Sequence, residues 1–560
     1  NDMKRKTIKY IAAAMAASMA LTACGGSTTS SDSGTTTAAA ESASAGSVGA
    51  ETTTAAAGTD SATISVADPN ASYKDTLNIA VAQQAPSLDL HKNSSLIARQ
   101  MMDGTCWEKL VTLNANGEAV PELCESYEVS EDAKTITFAL RKGVKFHDGS
   151  EMTADDVVAS MNRWINAFST ASAMVGDARF EKVDDYTVKI AADKPILLFP
   201  CVIAGAAQPA SITTAEACEK EDSNGFMTEY IGTGPYKFVE WPQDQYVKLE
   251  RFDDYVPYGT EGEPMDGWSG YKSAPSKTII FWIVPESNTR NAGLESGQYD
   301  VIYNLPSDDV ERVSGLDGVT VYSTQQGTIA PIINHKEGLC ANKWFRQAVS
   351  YALDYEEIMA ATYGTNGYVT GSCYMDEAQP FWYTDAGSEE YNVHDPEKAK
   401  EILKENGYDG TPLKLTAATL NKMDYMAVAM QAELEEVGIP VELNIVDWST
   451  LQAQSTDPTA YDMYICTFSQ VPIPSLKLYF GPNYAGWNDD ETLQSLLNDM
   501  NTSTNMDDAK AAWEKVQEYS WDYLAVINFG HYIANYAWND HVKGLNNYSG
   551  LYFWNAGYVE

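Results

Sequence analysis

The sequence predicts an α/β protein with more than one core, and three observations carry that prediction. Apolar residues alternate with period two in paired runs of the amino-terminal half. They recur at helical spacing directly afterwards, and a strand–helix–strand pattern stands in the carboxyl-terminal half. With 560 residues, 44% of them hydrophobic and 11% aromatic, the chain has material for two or three cores.

The elements come in mixed order. In Thr135 to Leu140, the residues Ile136, Phe138 and Leu140 share one face. Tyr127-Glu128-Val129 precedes that run across the polar turn Ser130 to Lys134, which predicts a hairpin. A helix follows: Thr153 and Asp156 form a capping box, and Val157, Met161, Trp164, Ile165 and Phe168 recur at helical spacing. A second hairpin is expected in "GTGPYKFVEWPQDQYVKLERF", turning at Pro242-Gln243-Asp244. Its Gly232-Thr233-Gly234-Pro235 opening is not a dinucleotide fingerprint, because Lys237 replaces the third glycine and a strand follows where a helix is needed. Further on, Leu413 to Ala417, Tyr425 to Val437 and Val441 to Ile445 read as a βαβ unit. Asp395-Pro396 starts another helix, with Ala399, Ile402 and Leu403 inward and Gly407 as its stop. No internal repeat is visible.

The amino-terminal segment has a separate character. Lys4, Arg5, Lys6 and Lys9 form a basic head, and Ile11 to Leu21 is apolar apart from Ser18, as in an export signal. Leu21-Thr22-Ala23-Cys24 resembles the bacterial lipoprotein signal, which implies cleavage before Cys24, lipidation of its sulfur and a lipid anchor in the outer face of the cytoplasmic membrane. Residues 25 to 72 contain no aromatic and no basic residue and cannot bury enough apolar surface to order themselves. They are expected to act as a tether spanning about 40 Å, so the working body begins near Tyr73 in an extracellular or periplasmic setting.

Charge and chemistry narrow the function. Thirty-seven Lys and Arg stand against 78 Asp and Glu, a net charge of −41, which excludes nucleic acid as an expected partner. After Cys24 seven cysteines remain (Cys106, Cys124, Cys201, Cys218, Cys340, Cys373 and Cys466) at no metal-type spacing, and in an oxidising compartment at most three bridges could form. The six histidines include no pair at helical i, i+3 or i, i+4 spacing, and HExxH, GxSxG and P-loop motifs are absent. No catalytic residue, metal site or cofactor is therefore expected. An exported carboxylate-dependent hydrolase remains the alternative, since among 78 acids some pair can stand at a hydrolytic separation by chance.

The block "GEAVPELCESYEVSEDAKTITFALRKGVKFHDGSEMTADDVVASMNRW" carries a resemblance that continues through "YIGTGPYKF", "TRNAGLESGQYDVIYNLP", "WFRQAVSYALDYEEI" and "YNVHDPEKAKEILKENGY". Together these resemble the family 5 extracellular solute-binding proteins, receptors of peptide, nickel and related importers of the ABC class. The resemblance implies a bilobed periplasmic-binding-protein-like fold of the class II, or cluster C, type. An extra α+β domain would be inserted in the amino-terminal lobe. The first lobe would comprise 73–110, 228–305 and 528–560, the insert 111–227 and the second lobe 306–527. A monomer is expected, working with a permease and an ATPase on separate chains. Its ligand would be a peptide or another small organic solute, and a metal chelate such as nickel's is the alternative within the family.

The family's cleft implies candidate contacts. Gln83, Gln84, Ser87 and Asp89 leave the first strand of lobe one, and Asn334 follows a strand of lobe two. Tyr374 and Trp382 lie in a later loop, and Phe468, Ser469 and Gln470 end the final strand. Peptide-binding members carry Trp-x-x-Asp at that last place, the acid pairing the ligand ammonium. Here Phe468 stands at the tryptophan position and Gln470-Val471 where the acid belongs, and from Phe468 to Phe480 the only charge is Lys477. Burying an unpaired ammonium costs several kcal/mol. Either another acid substitutes, or the ligand has no free amino terminus.

Overall fold

The computed structural model describes residues 67–364, 367–377, 379–547 and 550–560. The export signal, Cys24 and most of the tether lie outside the described residues.

Ten strands follow one another across a large mixed sheet. In spatial order they are Val441–Val446, Leu413–Ala418, Met463–Ser469, Val319–Ile333, Gly530–Asn539, Val301–Ile302, Thr76–Val81, Thr278–Ile283, Tyr246–Arg251 and Tyr236–Glu240. An eleventh, Tyr368–Val369, pairs with Gly530–Asn539 off this path. On the first side, Thr76–Val81 runs parallel to both of its neighbours, and Leu77, Ile79 and Val81 are fully buried. Beyond it lies the hairpin predicted around Pro242-Gln243-Asp244. On the second side, Leu413–Ala418 and Val441–Val446 pair in parallel through the helix Met423–Glu436, the βαβ unit read from the sequence.

Between these sides the sheet narrows to a neck. Val319–Ile333 and Gly530–Asn539 run antiparallel through both sides. Val301–Ile302 reaches only to Ala537, and Met463–Ser469 begins pairing only at Gly327. Four register pairs lie between: Tyr322 with Tyr536, Ser323 with Asn535, Thr324 with Ala534, and Gln325 with Ile533. Among the described residues no other strand pairs with them; the Leu305 amide donates to the Asn535 carbonyl and the Gly367 carbonyl accepts the Ile533 amide. A register shift between Gln325 and Gly327 marks the end of the neck. The crossings thus fall inside two strands and not at the connecting segments near 306 and 528. The reason is packing: Val313 shares a buried cluster with Ala80, Leu294, Tyr299, Ile302 and Ala537, so the chain after 306 stays with the first side until it enters the neck.

A separate four-stranded antiparallel sheet, ordered Cys124–Val129, Thr135–Leu140, Thr187–Ala191 and Phe180–Asp184, lies within the stretch read as an insert. The helix Ala154–Ala167 packs on it and carries the predicted capping box, with the Thr153 amide donating to Asp156 Oδ2 at 3.0 Å. Its inward residues Val157, Met161, Trp164 and Ile165 are fully buried. Asp395 caps the helix Pro396–Glu405 by accepting from the Lys398 amide at 2.9 Å, again as read from sequence.

None of the seven cysteines among the described residues is paired. Six are buried, and burial pushes the Cys106, Cys124 and Cys466 thiols up to about 12. The six buried sulfurs fill core space as small apolar groups.

Glu433, on the helix Met423–Glu436, accepts the Asp354 amide at 2.7 Å. Burial pushes its carboxyl up to about 7 from an ordinary 4.5; the amide pulls the other way, and Asp354, Glu357 and Glu436 add to the rise. The protonated form therefore favours the fold. The penalty for ionising it is absent below about pH 4.5, grows through the interval and is complete above pH 7. Glu433→Gln is expected to stabilise the protein by about 1–2 kcal/mol at pH 8 and hardly at all at pH 4. Urea unfolding at the two pH values measures this, and equal effects at both would contradict it.

Candidate functional site

The candidate residues on the first side are held by the scaffold. Gln83 is exposed. Gln84 Oε1 accepts the Asp244 amide at 2.9 Å, which ties the first strand's exit to the hairpin turn. Ser87 Oγ accepts the Asp89 amide at 3.1 Å. Asp89 is fully buried, and its oxygens accept from Arg163 Nη2 at 2.7 Å, Arg163 Nη1 at 3.1 Å, the Met227 amide at 2.9 Å and the His91 amide at 3.0 Å. Burial raises this carboxyl, but Arg163, His91 and the Met227 amide outweigh it and leave it below its ordinary range. Asp89 thus fastens the loop to the helix Ala154–Ala167, and its oxygens are spent there.

Three candidates on the second side also serve the scaffold. Asn334 donates to the Pro458 and Tyr461 carbonyls at 2.7 and 2.9 Å and accepts the Lys336 and Glu337 amides, shaping the turn after the long strand. The Tyr374 ring stacks on Trp521 at 5.3 Å, and its hydroxyl donates to the Val526 carbonyl at 3.2 Å. Trp382, 3% exposed, receives the Trp513 indole N–H on its carbonyl at 2.8 Å. These two aromatics are core anchors for the helix Met506–Tyr523.

Phe468, Ser469 and Gln470 do come together, beside the neck. The Phe468 ring is half-buried, edge-on to Tyr479 at 5.0 Å. Ser469 Oγ accepts from Arg99 Nη2 at 3.2 Å. Arg99 belongs to the helix Leu96–Met102 on the first side, so this bond joins the two sides. The other Arg99 contact is its Nη1 donating to the Ala206 carbonyl. The helix Phe199–Ala204 approaches the same strand end: a Cβ on Gly205 would stand 3.1 Å from Pro472.

Sequence reasoning missed most of what surrounds these three. Asp376, fully buried, has His531 Nδ1 2.9 Å from Oδ1. Burial raises its carboxyl, yet His531, Lys477 and the Gln470 amide together hold it down at about 2. Lys477 is 3% exposed. The Tyr536 hydroxyl donates to Gln326 Oε1 at 2.6 Å, where the strand pairing shifts register. Beside the neck several buried polar atoms have no hydrogen-bond partner: Arg99 Nε, Gln100 Nε2, Gln326 Nε2, both carboxylate oxygens of Asp376, Lys477 Nζ and the Tyr479 hydroxyl. Such orphans are rare inside proteins, and these come from both sides of the neck. Their signal in the sequence was faint: a lone lysine in an apolar stretch, and an Arg-Gln pair inside the short apolar helix "LIARQMM".

Among the described residues no group of three or more His, Cys, Asp or Glu could hold a metal ion, and no helix is long and apolar enough to cross a membrane.

Two sides of one sheet joined by a two-stranded neck, with partnerless buried polar atoms from both sides beside it, define a bilobed α/β binding-protein fold. Solved structures agree. A binding protein, AgaA, in complex with agropinic acid from A. tumefaciens R10 matches with a TM-score of 0.73 and 24% identity, covering 87% of this chain and 99% of that one. A dipeptide-binding protein from Pseudoalteromonas sp. SM9913 in complex with Met-Leu matches with a TM-score of 0.72 and 20% identity, covering 86% of this chain and all of that one. The oligopeptide-binding protein AppA of Bacillus subtilis is 28% identical over 466 residues, 76% of this chain and 80% of AppA. The model of the bacterial extracellular solute-binding proteins, family 5 (middle region), matches residues 118–489. The chain belongs to that family, a family of extracellular solute-binding receptors and not of enzymes.

Proposed function

We propose that this protein is the solute-capturing receptor of an ABC importer. It takes a peptide or other small organic solute between its two halves, closes on it about the neck and presents the closed form to a permease driven by a separate ATPase. A lipid on Cys24 would hold it at the outer face of the cytoplasmic membrane, and it would work there as a monomer. The halves are assigned as 73–110, 228–305 and 528–560 with the insert 111–227, against 306–527, except that the crossings are taken inside the two long strands, at Tyr322–Gln325 and Ile533–Tyr536, so that 306–321 goes with the first half and 528–532 with the second. The observation that carries this reading is the set of partnerless buried polar atoms contributed from both sides of the neck. A bound solute that supplies those partners binds the closed form better than the open one, and that difference alone can drive closure. AppA and the Pseudoalteromonas protein are named for the peptides they bind, which supports a peptide among the candidates.

Small-angle scattering tests the proposal. Protein unfolded, stripped of bound solute and refolded should contract when yeast extract is added, and mass spectrometry of the washed protein should find a retained solute. A profile unchanged with a solute demonstrably held would refute capture by closure.

A further inference from the structure

Of the ten exposed large apolar side chains among the described residues, five stand at one end of the second side: Leu420, Tyr425, Val428, Ile445 and Trp448. The helix Met423–Glu436 buries its three methionines, Ala427 and Leu434. Its outward positions Tyr425 and Val428, 62% and 55% exposed, are apolar as well. A surface helix ordinarily turns polar residues outward, and grouped apolar surface on a protein marks a contact.

Strand direction places this surface. Leu413–Ala418 runs parallel to Val441–Val446 and to Met463–Ser469, so the carboxyl ends of all three lie at one end of the sheet. At that end Phe468 and Ser469 pair with Thr328 and Gly327, directly past the neck. There too Ala418 and Val446 form the last rung between the other two strands, with Ile445 one residue before it and Leu420 and Trp448 two residues beyond. The Met423 amide donates to the Leu420 carbonyl at 3.0 Å, which sets the helix's first turn, carrying Tyr425, at the same end. Contacts lead from the neck to this patch. Tyr532 pairs with Gly327, and its ring stacks on Tyr363 at 6.3 Å. The Tyr363 hydroxyl donates to the carbonyl of Asn421, beside Leu420, at 3.1 Å, and Asn421 Nδ2 lies 3.5 Å from Thr467 Oγ1, beside Phe468. Neighbouring strands stand about 4.8 Å apart. The end of Val441–Val446 is therefore two strand spacings, about 10 Å, from the strand that carries Phe468.

We propose that this patch is an apolar shelf of the solute site, and that the preferred cargo is an elongated amphiphile whose polar end is held at the neck and whose apolar portion lies over Leu420, Tyr425 and Trp448. This rests on the receptor reading above and refines it. Ligands of open α/β sheets bind outside the carboxyl ends of the strands, where the shelf and Phe468 both stand. A net charge of −41 opposes a second copy of the chain or anionic lipid as the occupant. The partnerless atoms beside the neck include donors and the Asp376 oxygens alike, so they set no net charge on the polar end. Reaching the shelf from Phe468 takes about three residues of extended chain, at about 3.3 Å each.

Refolded, solute-free wild type and the Leu420→Ser/Tyr425→Ser/Trp448→Ser variant are incubated with yeast extract and washed, and the released solutes are separated by reversed-phase chromatography and identified by mass spectrometry. The wild type is expected to release elongated solutes ending in an apolar peptide segment or an acyl chain, which their masses tell apart, and the variant to retain them at least tenfold less. Equal retention, or wild-type solutes that are small and polar throughout, would overturn the shelf and leave the receptor reading intact. No retained solute on the wild type would count against both. Where the triple variant does not fold, Tyr425→Ser alone, at the most exposed of these positions, is expected to show at least a threefold loss, and no loss would overturn the shelf. Light scattering and flotation with phosphatidylcholine–phosphatidylglycerol vesicles check the other occupants. A wild-type dimer, or vesicle binding, that the variant loses would reassign the patch and overturn the proposal.

Discussion

Lys272→Ala is expected to cost the protein about 3–5 kcal/mol of folding stability. The ammonium is 3% exposed and bonds Glu108 Oε1 at 3.0 Å and Glu122 Oε1 at 2.6 Å. Glu108 also accepts the Tyr255 and Thr233 hydroxyls at 2.7 and 3.0 Å, and Glu122 accepts the Lys109 amide at 2.8 Å. Burial alone would depress the lysine, but the two carboxylates outweigh it and hold it well above its ordinary range. Taking it away strands two carboxylates in a dry pocket beneath Trp554. Most of the penalty comes from what is left behind, so adding Glu108→Gln and Glu122→Gln should recover much of it. Urea unfolding of the single and triple variants measures both effects; a loss under about 1 kcal/mol for the single change would mean water reaches the cluster.

Gly327→Val is expected to cost about 1–3 kcal/mol or more and to weaken solute capture at least tenfold. Gly327 pairs with Ser469 on one side and Tyr532 on the other, just past the register shift. A Cβ there would stand 2.0 Å from the Phe468 carbonyl oxygen and 3.1 Å from Ser469 Cα. That neighbour is backbone in the middle of a sheet and cannot swing aside. The strand must move, taking with it the Ser469 hydroxyl that receives Arg99. Gly371→Ala, where nothing lies within 4 Å of the added carbon, serves as the control. Unfolding curves and calorimetric titration with the solute recovered from yeast extract separate the effects. Wild-type affinity in the valine variant would show that the strand end can shift without harm to the site.

Much of the fold could be read from the sequence because its signals are local. The Thr153–Asp156 box, the Asp395-Pro396 helix start and the Leu413–Ala418 βαβ unit each fit inside a few turns of chain, and each formed as expected. The site is not local. Arg99, Gln326, Asp376, Lys477 and His531 come from five separate segments, and only tertiary folding makes them neighbours. Asp89 had the look of a loop acid facing a ligand, and nothing near it in sequence revealed that Arg163, 74 residues on, would take both its oxygens. Tyr374 and Trp382 illustrate another limit: an aromatic in a loop suits a binding wall and a core equally, and the helix Met506–Tyr523 holds the Tyr374 ring and the Trp382 carbonyl. The departure at Gln470 was visible; that Asp376 would stand beside it was not.

The narrowing of the sheet to four rungs sets how its halves can move. Paired strands resist stretching, because every rung would have to break together, whereas a ribbon two strands wide accepts a broad range of twist. Any motion of one half against the other would thereby be channelled into torsion, closer to the wringing of a cloth than to the swing of a door. On the receptor reading proposed above, a molecule lodged beside such an axle would be gripped by rotation, with the lever arm set by its distance from four pairs of residues.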